Sequence, residues 1–355
     1  MANSIGYGFV TLQDIFADRV MDNIPIVQTA VEESIAEYQR QMTAMLSMLV
    51  APVTTYQERY RLPGSTTLQP LDQYGNPLPI VPTGYYDVAY PIQSAGIAWG
   101  DNRVSRAKMT VADANRLSMT VMNADMDWMA RHMLAAIFTN TTWTYADEDH
   151  GDLTIQPLAI ASDNVVYVRK GGASATDTHY LAQANAIGNA DNPFPAIYDE
   201  LAEHPSNAGP YVAYIPTNLK TAVMALDDFV EINDPDINLG ANASTVVGSI
   251  AQGFGDEVLG KANKMWIVEW KRLPDSYILA LAQGASDPIL GMRQHAEPEL
   301  QGLFPEFQNI DGNRFLNKFI RMCGFGVRNR VGAVVYRIGN SSYAIPSGYT
   351  APLPV

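Results

Sequence analysis

From Thr110 to Thr139 the chain contains neither glycine nor proline. Val111, Ala114, Leu117, Val121, Trp128, Leu134 and Phe138 recur there at helical spacing, and Thr110-Val111-Ala112-Asp113 opens the run. At 1.5 Å per residue the expected helix is about 43 Å long, far above the average helix of a globular protein. Few architectures accommodate such a spine.

The segments before it have a different texture. Thr29-Ala30-Val31-Glu32 reads as a capping box, followed by Ile35, Tyr38, Met42, Met45 and Leu49 at spacings of three and four until Pro52 forbids continuation. Residues 1–28 carry apolar groups without a clear period and read as an arm laid on something else. Between Val53 and Gly100 stand six prolines and six tyrosines. The flanks, Val53 to Leu62 and Tyr85 to Trp99, read as the two arms of a hairpin, with turn chemistry at Tyr74-Gly75-Asn76-Pro77. Arms of ten or more residues cannot be covered by their own side chains, so the hairpin is expected to project and pack on another subunit.

Beyond the spine, Leu153 to Ile160 and Asn164 to Val168 read as strands, joined onward by a connector rich in small residues from Gly171 to Thr178. A mixed α/β block follows, with a helix from Ala196 to His204, a strand from Tyr211 to Ile215, and a helix from Asn218 to Phe229 capped by Thr217. Strands are expected at Met265 to Trp270, Tyr277 to Ala282, Phe315 to Cys323 and Arg330 to Ile338. No repeat of 20–50 residues is visible, which disfavours solenoids and propellers.

Composition narrows the function classes. The 355 residues are 47% hydrophobic and carry a net charge of -14, the reverse of a broad basic nucleic-acid-binding face. Cys323 is the single cysteine, so no intramolecular disulfide forms and an oxidising compartment is not implied. No stretch reaches the apolar length of a spanning helix or resembles a leader peptide.

The candidate catalytic patterns are each incomplete. Gly255 to Lys261 has the spacing of a phosphate-binding loop, but Ala262 stands where Ser or Thr must ligate Mg²⁺, and Asp256 and Glu257 sit inside the loop; a surface turn is expected. Asp147, Glu148, Asp149, His150 and Asp152 cluster closely, yet the Gly and closing acid of a calcium loop are missing, since the twelfth position is Leu158. A solvated acidic turn is expected, with a weak ion site as the alternative. Asn233, Asp234, Asp236 and Asn238 read as a flexible loop. The five histidines lack metal-ligand spacing, His132 is expected to pack, and Cys323 lies in an apolar strand pattern as a buried inert thiol. Met119, Met122, Met126, Met129 and Met133 are expected to pack in a core or between subunits. No catalytic residue, cofactor or metal is assigned.

The order of elements, together with Met322-Cys323-Gly324-Phe325-Gly326-Val327-Arg328-Asn329-Arg330-Val331-Gly332-Ala333-Val334-Val335 and with Leu273 to Leu279 followed by Pro288-Ile289-Leu290-Gly291, resembles the major capsid proteins of tailed bacteriophages with the Hong Kong 97-type fold. The resemblance implies an α+β fold with an N-terminal arm (1–52) and an extended β-hairpin loop (53–103). It further implies a peripheral domain (104–192 and 306–345) with its spine helix at 110–139, an α/β axial domain (193–305) and a C-terminal tail (346–355). It implies a non-enzymatic protein that self-assembles into pentamers and hexamers of an icosahedral virion shell, formed in the host bacterial cytoplasm. Implied partners are a scaffolding protein, a portal, cement or decoration proteins, and double-stranded DNA held without sequence specificity; no membrane is implied. An encapsulin-type nanocompartment shell packaging cargo enzymes is the alternative. Contacts between subunits are expected from Tyr56, Tyr60, Tyr74, Tyr85, Tyr86, Tyr90 and Trp99 on the loop and from Phe9, Leu12, Ile15 and Phe16 on the arm, because large aromatic groups bury much area for few frozen torsions. Some relatives crosslink through a loop lysine, but the first lysine here is Lys108, so no such bond is expected. No N-terminal processing is expected either.

Overall fold

The computed structural model describes residues 24–47, 49–62, 68, 70–77, 84–102, 111–172, 174–232, 257–285, 287–309 and 314–353. Its described residues fall into two compact units, one from 24–42, 94–129 and 297–322, the other from 43–93, 130–296 and 323–353. The fold is mixed α+β, with few helices and many strands. Among the described residues no helix is long and apolar enough to cross a membrane.

In chain order, helix α1 spans Ile24–Leu46, followed by strands β1 (Val50–Val53), β2 (Gln57–Leu62), β3 (Gly84–Ala89) and β4 (Gln93–Asn102). The expected spine is α2, Val111–Phe138, and then come β5 (Trp143–Asp147), β6 (Gly151–Ile155), β7 (Tyr167–Val168), β8 (Ser174–Ala175) and β9 (Tyr180–Gln183). Helix α3 (Phe194–Ala202), β10 (Tyr211–Ile215), the short α4 (Lys220–Met224) and β11 (Phe229–Glu231) lead to β12 (Glu257–Ala262), β13 (Met265–Glu269) and β14 (Tyr277–Ala282). The chain closes with β15 (Leu290–Gln294), β16 (Leu303–Asn309), β17 (Arg314–Val327) and β18 (Ala333–Ile338).

In the smaller unit, the first half of β17 pairs antiparallel with β16, Leu303 opposite Arg321, and β4 also pairs with β17. Its centre is an ion pair. Arg321 grips the Asp125 carboxylate of α2 with two donors, the Nη2 contact at 2.6 Å, and the Tyr38 hydroxyl of α1 donates to the same carboxylate at 2.9 Å. All three side chains are buried, so helix and sheet are tied by a bidentate pair whose oxygens are satisfied.

The larger unit is built on a seven-stranded sheet in the order β11-β12-β13-β10-β14-β18-β9. Strands β10, β13 and β14 read as apolar runs because both faces are covered, and α3 packs Phe194, Ile197 and Leu201 against them. The end of α2 is closed by its surroundings: Leu158 and Ala159 amides donate to the Ala136 and Ile137 carbonyls, and the Tyr343 hydroxyl to that of Phe138. These are among the acceptors a helix leaves without partners in its last turn.

Several expectations are corrected. The hairpin is six residues an arm, β2 on β3, because Pro91 has no N–H to continue a ladder; the chain then leaves as β4 for another sheet. Leu153 to Ile160 is strand only to Ile155, in a hairpin of β5 and β6 that turns at 148–150. The helix expected from Asn218 to Phe229 is only α4, followed by strand β11, and the Thr217 hydroxyl donates to Glu269 at 2.7 Å instead of capping. Glu257 to Ala262 is neither loop nor surface turn: it is strand β12, with Lys261 over the Trp266 ring at 4.5 Å. Residues 255, 256 and 233–250 lie outside the described residues.

Glycines explain how the segment after β3 is seated in this unit. Gly291 of β15 pairs directly with Gly326 of β17, and Gly324 lies two residues along on the same face. A Cβ on Gly291 would fall 2.4 Å from the Tyr90 ring, one on Gly324 2.3 Å from the Pro91 carbonyl oxygen, and one on Gly326 2.5 Å from the Ala89 carbonyl oxygen. The three glycines thus form a bare strip of sheet into which Ala89-Tyr90-Pro91 is pressed, with Tyr90 fully buried. Gly324→Ala should therefore lower stability by about 3 kcal/mol through overpacking against backbone. Gly188→Ala, with open space around its Cβ, should stay within about 0.5 kcal/mol of the parent; urea unfolding midpoints of the two variants check both values.

Candidate functional site

The β2–β3 hairpin has two unlike faces because side chains alternate along a strand. Its inner face is anchored by arginines. Arg330 donates to Asp163 at 2.8 Å and to the Asp87 carbonyl at 3.2 Å, and its guanidinium lies 4.1 Å over the Tyr86 ring. The Tyr86 hydroxyl donates to the Arg328 carbonyl at 2.9 Å, and Arg328 pairs with Glu58 at 3.3 Å. Tyr90 donates to the same Glu58 at 2.8 Å. Burial pushes the Tyr86 and Tyr90 phenols above their ordinary range, so they act as neutral donors. Burial also disfavours the Asp163 charge, but the His179 ring 3.9 Å away and hydrogen bonds from Tyr167, Val165 and Arg330 outweigh it and hold the carboxyl well below the usual range.

A second anchor joins this region to β5 and β6. Arg293 donates to Asp147 at 2.5 Å and to the Tyr90 carbonyl at 3.1 Å. The other Asp147 oxygen accepts from the Asp149 and His150 amides at 3.2 and 3.1 Å and lies 2.9 Å from His150 Nδ1. His150 in turn stacks on Tyr56, ring centroids 3.7 Å apart. The acidic cluster is therefore divided. Asp147 points inward onto a guanidinium that supplies the cation, while Glu148, Asp149 and Asp152 are exposed in and beside the turn. Although ligand atoms of Asp147, Asp149 and His150 come within 4.8 Å of one another, the buried member's oxygens are already occupied by protein donors.

The outer face carries Arg59 and Tyr85 into solvent, Arg59 bonded to Asp87 at 2.6 and 2.8 Å and stacked 4.0 Å over Tyr85. Further along, residues 70–77 make a self-supported turn. The Asp72 carboxylate accepts from the Tyr74 and Asn76 amides at 2.8 Å each and from Asn76 Nδ2 at 3.1 Å, and Gly75 adopts φ +79°. This geometry is pre-set for Asp and Gly, and it holds Tyr74 at 80% and Leu71 at 61% exposure. Leu68 is fully exposed as well. The turn thus presents apolar groups to water on a backbone fixed by its own hydrogen bonds.

The aromatic residues expected between subunits thus separate. Tyr74 and Tyr85 are exposed, Tyr56 is exposed on its His150 stack, and Tyr60 and Trp99 are half-buried. Tyr86 and Tyr90 are buried within their own subunit, which corrects the expectation that they lack a home there: the glycine strip and Arg330 supply one. Phe9, Leu12, Ile15 and Phe16 lie outside the described residues. Sequence reading missed Leu68 and Leu71, which stand among prolines and polar residues without any period. It also missed Arg293 and Arg330, whose partners are 146 and 167 residues away. Met129, Met133 and Cys323 are buried, whereas Met119 is 58% exposed. His132 lines a small cavity with Trp143, Phe325 and Pro352.

No family model and no curated protein matches the chain. Solved structures do. A structure of Mycobacterium phage Patience is 22% identical and aligns over 99% of both chains with a TM-score of 0.68. The capsid structure of cyanophage P-SCSP1u is 12% identical, covering 82% of this chain and 86% of its own at 0.49. The SrpI encapsulin complex from Synechococcus elongatus is 12% identical over 82% and 86% at 0.42.

The Asp147 anchor has a pH signature. Burial alone would raise the carboxyl, but His150 and Arg293 hold it down at about 2, against 3.8 unperturbed. A depressed value means stabilisation that is complete above the unfolded value and lost as pH falls through the folded one. Asp147→Asn, which leaves a buried guanidinium unpaired, should cost about 3 kcal/mol at neutral pH. The gap to the parent should narrow between about pH 4 and 2 in urea melts across that range. From end to end, the fold of this chain is that of a solved bacteriophage structure, that of Mycobacterium phage Patience.

Proposed function

We propose that this chain is the major capsid protein of a tailed bacteriophage, assembling into pentamers and hexamers of an icosahedral shell around double-stranded DNA. The observation that carries the reading is the alignment over 99% of both chains with the Mycobacterium phage Patience structure. The ordered turn that holds Leu71 and Tyr74 in solvent supports it. The mechanism is association: a ring contact is heterologous, so one chain presents two unlike complementary faces, and the angle between them closes the ring.

In this reading residues 1–52 are the N-terminal arm, 53–103 the extended loop, 104–192 with 306–345 the peripheral domain, and 193–305 the axial domain. The seven-stranded sheet takes β9 and β18 from the peripheral-domain residues and its other strands from the axial-domain residues. Contacts between subunits fall to the exposed Leu68, Leu71, Tyr74, Tyr85 and Tyr56, to the half-buried Tyr60 and Trp99, and to Phe9, Leu12, Ile15 and Phe16 of the arm. The protein is structural and catalyses nothing. It resides in the virion after assembly in the host cytoplasm with a scaffolding protein, a portal and cement proteins. A net charge of -14 per chain opposes closure, so burial must exceed repulsion and salt must help assembly by screening it.

Electron microscopy of the purified chain, co-expressed with its phage's scaffolding protein, should show closed icosahedral shells. Dispersed monomers under conditions where the chain is folded would defeat the reading, and shells that enclose an enzyme cargo would transfer it to the encapsulin class. Replacing residues 68–82 by a short Gly/Ser turn should leave a folded subunit with the parent melting temperature and abolish shells in the same images. Normal shells from that variant, or an unfolded subunit, would remove the loop from the interface.

A further inference from the structure

In the larger unit, the residues that follow α3 meet the β7–β8 hairpin through Asp177, Glu203 and His204. His204 and Asp177 are 3% and 5% exposed. The outer atoms of the three side chains are committed to protein partners. Arg169 reaches Asp177 Oδ1 at 3.2 Å and Glu203 Oε2 at 3.1 Å, and the Thr178 amide donates to the same Asp177 Oδ1 at 2.9 Å. The His204 ring stands edge-on to Tyr167, centroids 6.1 Å apart, with Nδ1 3.2 Å from the Val168 carbonyl oxygen.

Three inner atoms are left, and they face one another. His204 Nε2 lies 2.7 Å from Asp177 Oδ2 and 3.5 Å from Glu203 Oε1, and one ligating atom of each residue lies within 4.8 Å of the other two. Glu203 Oε1 is shut off from water and has no hydrogen-bond partner among the described residues. The Val168 carbonyl only accepts, so the hydrogen of a neutral imidazole belongs on Nδ1, and Nε2 presents a lone pair to two carboxylate oxygens. Acceptors that converge out of water need a donor or a cation between them. A single hydrogen on Nε2 would serve Asp177 and leave Glu203 Oε1 bare; a metal ion serves all three. The turn at 148–150 differs, because there the inward carboxylate already has the Arg293 guanidinium.

We propose that Asp177 Oδ2, Glu203 Oε1 and His204 Nε2 bind one divalent first-row cation of the Zn²⁺ type, which clips the β7–β8 hairpin to the end of α3. One imidazole with two carboxylates suits Zn²⁺, whereas Ca²⁺ requires six or more oxygen ligands. Set at about 2.1 Å from a tetrahedral ion, ligand atoms stand about 3.4 Å apart, so the Glu203 contact already fits and Asp177 must draw back by about 0.7 Å. The outer contacts are those that orient metal ligands: the Val168 carbonyl fixes the imidazole tautomer, and Arg169 holds the distal oxygen of each carboxylate. The fourth position falls to solvent, admitted beside the Glu203 side chain, which is 24% exposed. Arg169 keeps its charge next to the ion, so the expected binding is micromolar, weaker than at a four-ligand structural zinc site. The site belongs to the subunit, whatever that subunit assembles into.

Calorimetric titration of the full chain with ZnCl₂ at neutral pH, paired with imidazole ¹⁵N spectra, reads the site directly. Uptake of one equivalent is expected, with the His204 Nε2 resonance shifting and the His150 nitrogens unchanged. Glu203→Gln removes one ligand at a partly exposed position and should weaken binding by at least about tenfold. No uptake of Zn²⁺ overturns the proposal, as does affinity equal to the parent in Glu203→Gln. Uptake that shifts His150 and leaves His204 unmoved also overturns it, by placing the ion at the exposed acidic turn. Should the variant not fold, the parent spectra decide alone: a His204 Nε2 shift that saturates at one equivalent supports the site, and an unshifted His204 removes it.

Discussion

A peptide backbone can lie flat on a β-sheet only where the sheet offers no side chains. Gly291, Gly324 and Gly326 create that strip, and Ala89-Tyr90-Pro91 occupies it at distances where any Cβ would collide. Much else in the larger unit follows from this contact. With Tyr90 seated, its carbonyl faces Arg293 and its hydroxyl faces Glu58, and Pro91 ends the β3 ladder so that the chain can cross to β4. The base of the hairpin is thereby held by steric fit and by charge together, and its outer face is left to water.

The distribution of charge is as informative as its sum. A chain with a net charge of -14 spends several of its arginines inside. Arg293, Arg321 and Arg330 are buried, each facing a buried carboxylate. Buried pairs of this kind add little net stability over an apolar packing, but they strongly disfavour any arrangement that leaves one member alone. Their work here is to specify position: Arg330 aligns the hairpin with the segment at Asp163, Arg293 aligns it with β5, and Arg321 aligns α1 and α2 with β17. For a subunit proposed to meet many identical neighbours, a precisely placed hairpin matters more than a large excess of stability.

The long elements could be read from residues alone. Helix α2 was legible because nothing in it contradicts a helix, and β10 and β14 because both faces of each strand are apolar. The failures have physical reasons. Asn218 to Phe229 carries helical spacing, but the chain spends Phe229 on the edge of the seven-stranded sheet instead, a tertiary gain that outweighs local propensity. Tyr86 and Tyr90 look like exposed aromatics of a projecting loop, since the groups that bury them lie about two hundred residues further along the chain.

Sequence by itself determined the kind of molecule: a mixed α+β chain with a long spine, a proline-rich hairpin and no intramolecular disulfide. It also determined a turn at Tyr74 to Pro77, because that conformation depends on bonds among neighbours; the structure adds Asp72 as the acceptor that holds it. Tertiary structure decided which aromatic residues remain outside and which carboxylate of the acidic cluster faces inward. Those outcomes depend on groups distant in sequence being brought within 3 Å, and such distances are set by packing and not by pattern.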